Sequence, residues 1–234
     1  MKEKIYLIPG LMTDVRLWSR IIPFLDEYEL VHVPIPHSSD FDEVLDMLED
    51  SFKEEKINLL GFSLGGYIAS YFAVTYPNRV NKLFMVAATP GASEEAEIER
   101  RREKFAVIEK EGFKGLAYEK AVSLVEKQNQ NDVELITTIQ DMFMDLGKET
   151  FISQLTSTFN RVDLLEDLVR LSVGLNLPIW FYYSDKDRLL NHKSIAKLKT
   201  LKHNIKLISR EGTSHNVPLE VPKDLSIEIK KWMK

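Results

Sequence analysis

The sequence contains no cysteine. Disulfide staples, thiolate metal sites and cysteine nucleophiles are therefore excluded, and the absence fits a reducing compartment. No stretch approaches the ~20 consecutive apolar residues that a membrane helix needs, so no membrane-spanning segment is expected. The opening apolar run, Ile5–Ile8, is too short for the core of a secretory signal and is ended by Pro9-Gly10. A cytoplasmic protein is the expectation. An excess of positive charge is also missing. The formal net charge is −5, without the basic balance that phosphate binding needs, so no nucleic-acid partner is expected. Neither an internal repeat nor a low-complexity tract interrupts the 234 residues, a length that suits one large α/β domain or one domain with an insertion. With 44% hydrophobic residues the chain can bury a core without staples.

Short apolar runs recur along the chain: Ile5–Ile8, Leu30–Val33, Ile57–Phe62, Lys82–Ala87, Ile179–Tyr183 and Ile205–Ile208. Continuous runs of this length suit strands buried on both faces, as in a parallel sheet. The stretches between them suit crossover helices. Leu17, Ile21, Phe24 and Leu25 share one helical face in Leu17–Tyr28, and Phe41, Val44, Leu45, Leu48 and Phe52 share one in Phe41–Phe52. Alternation of this kind predicts an open α/β sheet with right-handed crossovers.

The rhythm stops between about 91 and 176, where no strand pattern occurs. Glu94–Glu111 is a charged helix with a narrow apolar stripe, and its charges read as a solvated face. Gly112, Gly115 and Gly147 punctuate further helical segments. Leu135, Ile139, Met142, Phe143, Leu146, Phe151 and Leu155 must bury somewhere, either in an ordinary core or as the inner surface of a lid. The division expected is a core of residues 1–90 and 177–234 with a helical cap at 91–176.

Gly61-Phe62-Ser63-Leu64-Gly65, followed by Gly66, stands directly after a strand pattern and directly before the helical run Tyr67–Tyr76. A sharp strand-to-helix turn with a serine at its apex needs small residues two before and two after it, and Gly61 and Gly65 provide them. The new helix also aims free N–H groups and the positive end of its dipole at Ser63. A serine hydroxyl is a weak nucleophile without a base. Of the five histidines, His32, His37, His192 and His203 read as structural or surface residues. His215, in Glu211-Gly212-Thr213-Ser214-His215-Asn216, lies just beyond the last strand, and the carboxyl ends of parallel strands are where such sheets place their sites. An orienting carboxylate is available after the fifth strand at Asp185 or Asp187, with Asp185 the one suited to a turn. The order serine, aspartate, histidine is the one associated with this architecture. Backbone donors for an oxyanion are expected at Leu64, after the serine, and at Leu11, in the loop following the first strand.

Together these residues resemble the α/β-hydrolase superfamily, in particular a small carboxylesterase-like branch that includes pimeloyl-ACP methyl ester esterases and enol-lactone hydrolases. Ile8-Pro9-Gly10-Leu11 is similar to the family's oxyanion loop, with Pro9 where many members carry histidine. Trp18 matches a tryptophan of the first helix, and Gly61–Gly66 matches the elbow. In the family the acid is the third residue after a glycine. Ser184 replaces that glycine here, so the resemblance places the acid at Asp187. Gly212-Thr213-Ser214-His215 resembles the histidine loop. The loop after the second strand, Pro34-Ile35-Pro36-His37-Ser38-Ser39, departs from the family's Asp-x-x-Gly-His-Gly. The first two strands of larger members are missing, so a compact six-strand, all-parallel sheet is expected.

The resemblance implies a triad of Ser63, Asp187 and His215 that hydrolyses a small-molecule ester or thioester through an acyl-enzyme, with no cofactor and no metal. Acyl transfer to another acceptor, carbon–carbon bond hydrolysis and a non-enzymatic ligand receptor on the same fold are the alternatives. Met12, Met142, Phe143 and Phe151 are the expected substrate-binding residues. The oligomeric state is not legible.

Overall fold

Each of the six apolar runs forms a strand in the computed structural model, which describes residues 2–234. They are β1 (Lys4–Ile8), β2 (Glu29–His32), β3 (Ile57–Phe62), β4 (Val80–Val86), β5 (Ile179–Ser184) and β6 (Lys206–Arg210). Every pairing is parallel, and the strand order is β2-β1-β3-β4-β5-β6. The order reverses between β1 and β3. At such a point the loops leaving the two carboxyl ends diverge and open a crevice.

Nine helices accompany the strands: α1 (Phe41–Ser51), α2 (Leu64–Thr75), α3 (Glu95–Glu111), α4 (Tyr118–Ser123), α5 (Val133–Ser157), α6 (Leu165–Gly174), α7 (His192–Thr200), α8 (Val217–Glu220) and α9 (Pro222–Met233) among the described residues. The period-two alternation of the strands sorts their side chains into two layers. Tyr6, Ile8, Leu59, Leu83, Met85 and Phe181 pack with α1, α2, α6 and α7 on one face. Ile5, Leu7, Leu60, Phe62, Phe84 and Val86 pack on the other with α9 and the first half of α5. Local signals set the helix ends. Asp40 caps α1 by accepting the Asp42 N–H at 2.8 Å, and Gly112, at φ 81°, ends α3.

The stretch Leu17–Tyr28, expected as a helix, is instead two 3₁₀ turns, Val15–Trp18 and Ile22–Phe24. Pro23 accounts for the difference, since it has no N–H to donate and its ring crowds the carbonyl one turn earlier. Leu17, Ile21 and Leu25 still bury, whereas Phe24 turns outward.

Residues 91–176 do not form a detached unit. Leu165, Leu168 and Leu171 of α6 join the layer containing α1 and α2. Leu135, Ile136, Ile139 and Met142 of α5 join the opposite layer. Gly147, at φ 73°, interrupts α5. Beyond that break Phe151 and Leu155 pack against Met12, together with Phe105 and Ile108 of α3. No helix among the described residues is long and apolar enough to cross a membrane.

The start of α2 is pressed against the end of β1. A Cβ built on Gly65 would lie 2.1 Å from the Pro9 carbonyl oxygen and 2.4 Å from that of Ile8. Backbone atoms of a central strand cannot retreat as a flexible side chain would. Gly65→Ala is therefore expected to lower stability by about 3 kcal/mol, the upper part of the range for overpacking. Urea unfolding checks this, with Gly174→Ala as the comparison. Nothing lies within 4 Å of a Cβ there, so that change should be neutral or slightly stabilising.

Candidate active site

Ser63 joins β3 to α2 at φ 52° and ψ −116°, a backbone conformation that costs a non-glycine residue about 1–3 kcal/mol. Its own N–H is held by the Val86 carbonyl at 2.9 Å, and its carbonyl accepts from Gly66 at 3.0 Å and Tyr67 at 3.1 Å. The strain is thus fixed by the neighbouring strand on one side and by the helix on the other. The hydroxyl is lifted clear of the turn at the carboxyl edge of the sheet.

His215 reaches it from the loop after β6. The His215 Nε2 lies 2.9 Å from Ser63 Oγ, and its Nδ1 lies 2.6 Å from Asp187 Oδ2. The ring packs at 5.3 Å, centroid to centroid, from Phe62. Asp187 is 1% exposed. Its second carboxylate oxygen accepts the Leu189 N–H at 2.9 Å, and its carbonyl lies 2.7 Å from His192 Nε2. His192 thus steadies the turn that carries the acid. Asp185 does something else: its exposed carboxylate accepts the Gly212 N–H at 3.0 Å and ties the turn after β5 to the histidine loop. Of the two aspartates, Asp187 is the one whose carboxylate contacts the imidazole. A carboxylate on Nδ1 keeps the proton there and leaves the Nε2 lone pair for the hydroxyl.

The loop after β1 runs beside the elbow because β1 and β3 are neighbours, with Ile8 opposite Gly61. Within it the Gly10 N–H donates to Thr13 Oγ1 at 2.7 Å and the Met12 N–H to Gln154 Oε1 at 2.8 Å. The N–H groups of Leu11 and Leu64 have no acceptor among the described residues. Met12 is fully buried and, with Phe151 and Leu155, forms a small apolar cluster joined by Leu11, Phe105 and Phe143. Met142 is not part of it. It belongs to the layer beneath, with its sulfur 3.5 Å from the Asp14 N–H, since adjacent helical residues point about 100° apart. The loop after β2, unreadable in the sequence, contributes Pro34, Ile35 and His37 to a cavity of about 130 Å³ that also meets Thr13 and Gln154.

Several polar residues of the site region gave no sequence signal. Gln154 fixes the loop after β1 from α5. Glu126, between α4 and α5, accepts hydrogen bonds from the loop that carries His215. The Arg161 guanidinium sits 4.6 Å above the Tyr67 ring, one helical turn beyond Ser63. Its Nε is enclosed without a partner. Burial, and then the nearby Arg101, lower its pKa to about 10. Each lies in a segment whose spacing bears no relation to the elbow, so only the fold brings them together.

A proton shared between His215 Nδ1 and Asp187 should give a far-downfield ¹H resonance at neutral pH. Asp187→Asn should abolish it and Asp185→Asn should leave it in place. A resonance that survives the first change and disappears with the second would reassign the acid.

Comparison with known proteins agrees with the architecture. The family model described as alpha/beta hydrolase fold matches residues 26–222. A pimeloyl-[acyl-carrier protein] methyl ester esterase of Vibrio campbellii is 34% identical over 94 residues, covering 36% of this chain and 36% of that protein. A 2-succinyl-6-hydroxy-2,4-cyclohexadiene-1-carboxylate synthase of Enterobacter sp. is 32% identical over 108 residues, covering 42% of each. These matches span less than half the length of the curated relatives concerned. The structure of a thermophilic esterase from Thermogutta terrifontis superposes with a TM-score of 0.81, covering 100% of this chain and 90% of that one, at 20% identity. That likeness is one of fold. With the family model matched over most of the chain and the six-strand parallel sheet in place, the protein belongs to the α/β-hydrolase fold family.

Proposed function

We propose that this chain is a serine hydrolase that cleaves a small or medium carboxylic ester or thioester through an acyl-enzyme. The observation carrying this reading is the unbroken hydrogen-bond chain from Ser63 Oγ through His215 to the buried Asp187. In the reaction Ser63 Oγ attacks the acyl carbon while its proton passes to His215 Nε2. The carbonyl oxygen becomes an oxyanion held by the Leu11 and Leu64 N–H groups, which need no reorganisation to receive it. Collapse breaks the bond to the alcohol or thiol, which leaves with the proton from His215. Water then repeats the sequence at the acyl-serine and releases the acid, regenerating the hydroxyl. Asp187 keeps the imidazole in the required tautomer and stabilises its charged form. The name of the Vibrio campbellii relative, an ester hydrolase, agrees with this chemistry.

The acyl chain has an apolar surface to follow. Met12, Phe143, Phe151 and Leu155 cluster beside the Leu11 donor, and methionine adapts to varied chain shapes.

Ser63→Ala should fold normally and lower turnover of a nitrophenyl ester by roughly 10⁴-fold or more, and Asp187→Asn should lower it by about 10⁴-fold. Asp185→Asn should stay within about threefold of the parent. Full activity in Ser63→Ala would remove the proposal. In an ester series of increasing acyl length, Phe151→Ala should move the optimum while acetate is still cleaved. Each buried methylene is worth about 0.8 kcal/mol, so two should change selectivity roughly tenfold. Met142→Ala should leave the profile unchanged and lower stability by about 2–5 kcal/mol, the usual cost of emptying a core position. An unchanged length profile in Phe151→Ala would place the acyl pocket elsewhere.

A further inference from the structure

The loop that carries the base is held by a carboxylate from outside the sheet. Glu126 lies between α4 and α5 and is only 6% exposed. Its Oε1 accepts the Thr213 N–H at 2.7 Å and the Ser214 N–H at 3.0 Å, the two backbone donors immediately before His215. The same oxygen accepts from Arg210 Nη1 at 2.8 Å, while Oε2 accepts from Nη2 at 3.3 Å, so the last residue of β6 anchors the acid to the sheet. Burial alone would raise the pKa of this carboxyl. The hydrogen bonds from Arg210, Ser214 and Thr213 outweigh burial and hold it below the usual glutamate range, so the group is ionised at neutral pH.

A second acid closes the arrangement. Glu220, at the end of α8, accepts the Glu126 N–H at 2.6 Å and the Asn129 side-chain amide at 2.9 Å on one oxygen. Its other oxygen accepts the Ser214 hydroxyl at 2.6 Å. The segment between α4 and α5 and the histidine loop are thus joined from both sides. Gly212 bears independent witness. At φ 140°, a Cβ there would lie 2.2 Å from Glu126 Oε1 and 2.5 Å from Arg210 Nη1. The glycine that opens the histidine loop suits its φ, and a side chain there would push the ends of this ion pair aside.

We propose that Glu126 is a positioning residue for the catalytic base. Its ionised carboxylate sets the path of residues 213–214 and thereby the alignment of His215 between Asp187 and Ser63. The proposal rests on the serine-hydrolase reading for its kinetic consequence, though not for its structural one. Because Glu126 belongs to the helical segment between β4 and β5, the placement of that segment is transmitted to the base through two backbone hydrogen bonds. A glutamine there can keep its oxygen toward Thr213 and Ser214 only by turning its NH₂ group toward the Arg210 guanidinium, so the anchor to β6 is lost and the loop is freed to shift although the side chain keeps its size.

The test is Glu126→Gln, followed by steady-state kinetics on a nitrophenyl acetate and by the downfield proton NMR signal of His215. The expected result is a fall in kcat of roughly 10–100-fold with KM within about twofold, together with a weakened or displaced Nδ1–H signal. A folded variant with unchanged kcat and an unchanged signal would overturn the proposal. So would a rise in KM alone, which would make the residue part of substrate binding. If Glu126→Gln fails to fold, Arg210→Lys decides. It loosens the anchor while keeping the carboxylate, and a severalfold loss of kcat at constant KM is expected; unchanged kcat would overturn the idea. The NMR signal separates the two readings. A displaced signal in a protein whose parent cleaves no ester would leave the positioning role intact and remove only the hydrolase proposal.

Discussion

The close approach of two backbone segments, the first turn of α2 and the end of β1, is the constraint on which the site depends. It is possible only because residue 65 has no side chain, with the Pro9 and Ile8 carbonyls occupying the place of a Cβ. It lies next to the strained backbone of Ser63 and, with β1 paired to β3, brings the loop after β1 alongside the elbow. The folding of the sheet stabilises a turn that the local chain would not adopt alone, and the helix dipole adds positive potential where negative charge would develop.

The remaining parts reach that point by strand order. Asp187 follows β5 and His215 follows β6, so acid and base come from adjacent loops on one edge. Asp185 joins those loops, and Ser184 Oγ donates to the Ser214 carbonyl at 2.7 Å, so the acid turn and the base loop are held as one body. Glu126 adds a hold from the helical segment. The loop that carries His215 is therefore held by the side chains of Asp185, Ser184 and Glu126.

Much of this was legible in the amino-acid order. The six strands could be read because each is a continuous apolar run, the pattern that burial on both faces produces. Ser63 and His215 could be read because a glycine-flanked serine between strand and helix, and a histidine beyond the last strand, are local features. Asp187 depended on a resemblance, since Asp185 has the same residue type at nearly the same place. The misread element was Leu17–Tyr28, where an apolar spacing of three and four outweighed Pro23. Two successive 3₁₀ turns repeat nearly the same spacing, so Leu17, Ile21 and Leu25 bury as expected, Phe24 does not, and the element was wrong. Met142 and Phe143 show the limit of reading an apolar helix as one surface: a step of one residue separates a position in the sheet layer from one beside Met12. Glu126, Gln154 and Arg161 were illegible because their partners lie tens of residues away and are chosen by packing.

The central claim is that Ser63 is the reacting nucleophile, raised by the elbow and activated by His215. A fluorophosphonate reports this without any assumption about the natural substrate, because it phosphonylates a serine only where a base removes the proton and an oxyanion site receives the oxygen. Treat the protein with the reagent, digest it and locate the adduct by mass spectrometry. The account predicts a single stoichiometric label on Ser63. A label on a different serine, or none under conditions where the protein is folded, would contradict it.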